Sequence, residues 1–100
     1  MISGHEEALQ LLRGWLDSGT DLRCNVETSH FVFTMKGRIW QIKDDDITVI
    51  SEDHESELVA RLLKVQEFNR VASQVEPQYG KGLICRFDDN SVVSFAEMLL

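Results

Sequence analysis

One hundred residues, 43% of them apolar and eight aromatic, suffice for one small core and are too apolar for a disordered chain. A net charge of −7 disfavours nucleic acid as a partner, because affinity for phosphates comes mainly from Lys and Arg. One proline, six glycines and two cysteines leave no linker, no low-complexity tract and no disulfide framework, so residues 1–100 are read as a single domain.

The first element is a helix, over about residues 4–18. Ser3 and Glu6 have capping-box spacing, Ala8, Leu9, Leu12, Trp15 and Leu16 form one stripe, and Gly19 is a natural stop. Gly14 inside that stripe costs roughly 1 kcal/mol relative to Ala. The opening residues carry no positive n-region or apolar h-region, and no apolar run approaches the length of a membrane span. The expectation is a cytoplasmic protein with no membrane partner.

Leu22, Cys24 and Val26 alternate with polar residues, which predicts a strand over about 21–27. A turn at Thr28-Ser29 leads into a long strand over about 30–43, with Phe31, Phe33 and Met35 on one face. The alternation breaks near Gly37: Ile39 continues the first face, while Trp40 and Ile42 take the second. A glycine inside a strand marks a bend, a bulge or a close backbone approach.

Seven acids and no base lie between Asp44 and Glu57, and the other ten acids balance all ten bases, so the net charge resides here. Between the two acidic clusters, Ile47-Thr48-Val49-Ile50 predicts a strand over about 46–52. Residues 56–75 read two ways. Leu58, Leu62, Val65, Phe68, Ala72 and Val75 fit a helical stripe, but a short turn from Glu52 to Ser56 lets 57–63 pair back as a strand. The strand keeps the meander continuous and is preferred. Strands over about 82–87 and 92–96 then flank Asp88-Asp89-Asn90-Ser91, a hairpin signal.

A helix followed by a meander whose long second strand bends at a glycine resembles the Sm-like small barrel. Gly37, Ile39, Ile42, Asp44 to Asp46 and Ile47 to Ile50 are similar to the family's first motif, and Leu83 to Val93 looks in part like its second. Ile47 stands where the family has Asn, and Phe87 where it has the glycine after its arginine. The run from Ser56 to Leu62 also resembles segments of small uncharacterised bacterial proteins. The Sm-like resemblance implies an α+β fold in which an N-terminal helix packs on a bent antiparallel sheet forming a small open barrel or roll. It also implies an RNA-binding ring subunit.

Chemistry is sparse. An EF-hand reading from Asp44 finds Asp46 and Glu55 at ligand positions but Val49 where the loop needs glycine, and from Asp53 it ends on Lys64, so the acids read as solvated turns. His5, His30 and His54 are scattered, Cys24 and Cys85 are not paired at ligand spacing, and no nucleophile elbow or phosphate loop occurs. No cofactor, metal or catalysis is expected, and no small-molecule ligand can be named.

The leading function is a protein-interaction or self-associating module, a homo-oligomer built through sheet edges. The alternative is the Sm-like RNA-binding subunit. The surface residues that would carry either are Lys36, Arg38, Trp40 and Ile42 on the second strand, with Arg86.

Overall fold

The computed structural model describes residues 4–71 and 79–99; Ser3 of the expected capping box and Ala72 and Val75 of the helical stripe lie outside them. The chain forms a small α+β domain: one N-terminal helix and a seven-stranded antiparallel open sheet.

Helix α1 spans Gly4–Ser18 and buries Ala8, Leu12 and Trp15, one residue per turn of the expected stripe. Its end is a Schellman motif: the Gly19 N–H donates to the Leu16 carbonyl and the Thr20 N–H to the Trp15 carbonyl, with Gly19 at φ 62°. The strands are β1 Leu22–Glu27, β2 Val32–Lys43, β3 Asp46–Ser51, β4 Glu57–Arg61, β5 Val65–Val71, β6 Tyr79–Phe87 and β7 Val92–Met98, and their order across the sheet is β4-β3-β2-β1-β7-β6-β5. Residues 57–61 pair with β3, the hairpin alternative for that stretch. Leu62–Lys64 form a short 3-10 turn rather than more strand, and β5 is a strand that the sequence pattern did not show.

The two acidic clusters are turns at opposite ends of β3. Asp44 and Asp45 both take positive φ, the geometry of a two-residue primed hairpin, and Lys43 pairs with Asp46 across it. The connection from β4 to β5 links the two sides of the sheet. The Leu62 N–H donates to the Asp45 carbonyl and the Asp88 N–H to the Lys64 carbonyl. The sheet curls, since α1 packs on both β2 and β5, which are four places apart in strand order. Inside it, Leu22, Cys24, Met35, Ile39, Ile47, Val49, Leu83, Cys85, Val93 and Phe95 form one core with α1.

Strand β2 is twice as long as either neighbour, and this shapes the molecule. Its residues Val32–Gly37 pair with β1, while Gly37–Lys43 pair with β3, so Gly37 alone belongs to both ladders, opposite Leu22 and Ser51. A Cβ at Gly37 would stand 2.2 Å from the Ile50 carbonyl oxygen, so the glycine permits a close backbone approach. The register runs through Gly37 without a shift. The break lies between Ile39 and Gln41, where Trp40 is the extra residue of a β-bulge. That corrects the sequence reading: Trp40 stays outward, and Ile42, opposite Ile47, turns in toward the core.

The Sm-like expectation fails on the same observations. The ladder is interrupted at Trp40 rather than at the glycine, and both β4 and β5 intervene between the two supposed motifs in a seven-stranded sheet.

Candidate interaction surface on the second strand

The even-numbered residues of β2 before the bulge and Trp40 itself face outward. Lys36, Arg38 and Trp40 are therefore neighbours on one exposed face, with Trp40 64% exposed. Ile42 is not among them. Arg86 is on β6, three strands from β2 and roughly 14 Å away at ordinary strand spacing, where it pairs with Glu67. The structure thus brings three of the five expected surface residues together.

A groove of about 530 Å³ crosses β2 at Gly37, lined by Asp21, Arg38, Trp40, Ser51, Glu52 and His54 among others. The Arg38 Nε donates to Asp21 Oδ1 at 2.6 Å, and this contact first, with the Asp21 charge second, raises the guanidinium pKa further. Both side chains are more than half exposed, so the pair contributes little to stability. It does engage one of the three bases, Lys36, Arg38 and Arg86, that would have met RNA phosphates, and Arg86 is itself paired with Glu67.

A second groove, of about 520 Å³, shares Lys36, Ser51 and Glu52 with the first and extends past Phe33, Thr34, Met35, Asp53 and Ser56. Its floor is organised by Ser51, which is buried. The Ser51 hydroxyl donates to Asp53 Oδ1 at 2.5 Å and accepts from the Ser56 N–H at 2.9 Å, and Asp53 accepts the Glu55 N–H at 3.0 Å. The Ser51 hydroxyl, then the Glu55 amide, hold the Asp53 carboxyl below the usual carboxylate range. Ser51 thus fastens a turn, with its hydrogen committed to a carboxylate rather than a base.

The other titratable groups have structural surroundings. Burial pushes the thiols of Cys24 and Cys85 up to about 12, which removes nucleophilic thiolate near neutral pH. His5 meets Asp45 at 3.3 Å and stacks edge-on against Phe68, joining the start of α1 to the β2–β3 turn and to β5. Glu97 accepts the Trp15 indole N–H at 2.7 Å and the Lys81 N–H at 2.9 Å, tying α1 to β6 and β7. Among the described residues, no group of three or more His, Cys, Asp or Glu is placed to hold a metal ion. Among the same residues, no helix is long and apolar enough to cross a membrane.

Sequence reasoning missed the apolar entry to β2. Phe31, Val32 and Phe33 are 60%, 62% and 45% exposed, a three-residue run beside the second groove. The available signal was strand length, since a strand about twice as long as its neighbours must outrun one of them.

No protein-family model matches the chain, and no curated protein does. Among solved structures it is similar to one described as the pleckstrin homology (PH) domain of USP37, at 11% identity and a TM-score of 0.48, covering 79% of this chain and 81% of that one. The Sm-like resemblance read from the sequence is not matched by any family model.

Proposed function

We propose that this domain is a non-catalytic interaction module whose docking surface is β2. The observation that carries the reading is where its large apolar side chains are exposed. Among the described residues, half of the exposed large apolar side chains, Phe31, Val32, Phe33 and Trp40, lie on this one strand and the turn that enters it, beside two adjoining grooves, while Val59, Leu63, Ile84 and Leu99 are dispersed over four other segments. Aromatic residues held on a rigid strand are common anchors at protein interfaces, since they bury much area at small entropic cost. The two thiols are sealed in the core, and the Ser51 hydroxyl and Asp53 carboxylate beside the grooves are committed to a turn, which favours binding over catalysis. An RNA-binding role loses its fold-level support with the Sm-like resemblance, and a surface where Arg38 already meets Asp21 and an acidic turn stands at each end of β3 adds none.

Position-specific crosslinking tests the reading. A photoreactive phenylalanine analogue at Trp40 or Phe33, introduced in the native host cell, should yield a discrete protein adduct. The same analogue at Arg13, exposed on α1, should yield none. Equal adducts at all three positions, or none at any, would remove β2 as the docking surface.

A further inference from the structure

Among the described residues, the first half of β2 has one partner strand. Val32–Lys36 pair with β1, but on the other side β3 ends at Ser51, opposite Gly37, and the chain turns away through Glu52 to Ser56 toward β4. Two hydrogen bonds fix which backbone groups point where. The Phe31 carbonyl accepts from Thr28 on the β1 side, and the Lys36 carbonyl accepts from Glu52 on the β3 side. Backbone direction alternates along a strand, so the N–H and C=O groups of Val32 and Thr34 point to the β3 side, beyond the end of β3. Among the described residues no strand pairs with them there.

Resting on the reading of β2 as a docking surface, we infer that this edge receives an extended basic peptide segment of another protein, added as a strand in line with β3. Strand addition supplies affinity through main-chain hydrogen bonds and selectivity through alternate side chains. The second groove provides room along the edge, and the exposed Phe31, Val32 and Phe33 supply apolar contact on its two faces. Charge chooses the occupant. Glu52, Asp53, Glu55 and Glu57 cluster at the Lys36 end of the edge and Glu27 flanks Val32, five acids against Lys36, His30, Arg23 opposite Lys36, and Arg38, whose charge already meets Asp21. A strand alternating Lys or Arg with Val or Ile matches that field.

A second copy of this chain does not match it. Two molecules pairing through this edge would each bring a net charge of −7 and would set the acidic turn of one against the Glu27 end of the other's hairpin.

The probe is a fluorescein-labelled heptapeptide of alternating Lys and Val, acetylated and amidated, titrated with the full chain in an anisotropy assay. Saturable binding is expected, with shifts in the amide resonances of residues 32–36. Thr34→Pro removes the outward N–H while leaving the pairing with β1, a substitution that strand edges accept. Thr34→Pro should weaken binding about tenfold with the melting temperature nearly unchanged. A Glu-Val heptapeptide should not bind, and Glu52→Lys/Glu55→Lys should weaken the Lys-Val probe about fivefold. Unchanged affinity in a folded Thr34→Pro protein would reduce the binding to unspecific charge attraction and overturn the inference. Absence of saturation at about millimolar protein would do the same, as would shifts confined to other strands. A wild-type dimer that Thr34→Pro dissolves would assign the edge to a second copy. None of these outcomes alters the crosslinking at Trp40, which judges the broader reading separately.

Discussion

The two halves of β2 meet the same physical problem and end differently. Each half has one partner strand, β1 for Val32–Gly37 and β3 for Gly37–Lys43, and each therefore has one side without a ladder. Along the second half α1 packs on β2. Its C-terminal end feeds through Asp21, which pairs with Arg38, and its first turn meets Asp45 just past the strand's end. Among the described residues the first half has no such cover, and there Val32 and Phe33 stay in solvent while Met35 reaches the core. Exposed strand edges are ordinarily blunted by charge, proline or a covering element. On this one strand a helix accompanies one half, and the other ends beside a turn of acids.

The sharpest way to break the comparison is at the residue both halves share. Gly37→Val places atoms against the Ile50 backbone and should cost about 3 kcal/mol, at the upper end for overpacking, in a chemical-denaturation measurement. A smaller loss would mean that β2 and β3 can move apart at the crossing.

Next come truncations on either side of it. Ile39→Ala empties a fully packed site and should cost about 2–4 kcal/mol, whereas Phe33→Ala, half in solvent already, should cost about 1 kcal/mol. Equal losses would show that the first half is covered in solution. Hydrogen exchange reads the same contrast without mutation, with the Val32 and Thr34 amides exchanging orders of magnitude faster than the Phe33 and Met35 amides directed to β1.

The thiols offer a pH test of the core that both halves enclose. Cys24 and Cys85 ionise near 12 when folded and nearer 9 when exposed, so the unfolded chain gives up their protons first. Stability should therefore be intact below pH 9 and fall as pH rises from there toward 12. Denaturation midpoints across that window measure it, and Cys24→Ala/Cys85→Ala should flatten the dependence. Asp53 gives the smallest effect. Its depressed carboxyl keeps the Glu55 cap until the pH drops below the ordinary Asp value of 3.8, and Ser51→Ala should move that midpoint up in an NMR titration.

The helix was legible because five apolar residues at turn spacing admit one reading, and α1 buries three of them and half-buries the other two. Most strands were legible from alternation. Strand β5 was not, since Val65, Glu67, Phe68 and Val71 lack a clean period of two and a bulge between Val65 and Glu67 scrambles the faces further. The same arithmetic hid the orientation of Ile42. Of the candidate surface, Lys36, Arg38 and Trp40 could be found as an outward row, but the open edge depends on where β3 stops relative to β2. Register between strands is set by turns and packing and is not written in either strand alone.

The bulge at Trp40 has a consequence for the length of the chain. Without Trp40, Ile39 would still face Val49, Gln41 would face Thr48 and Ile42 would face Ile47, in uninterrupted alternation. A single-residue deletion elsewhere in this half of β2 would turn every later side chain over. Strand β2 is in effect written in two frames, and Trp40 is the one letter that can be struck out without changing the meaning of those that follow.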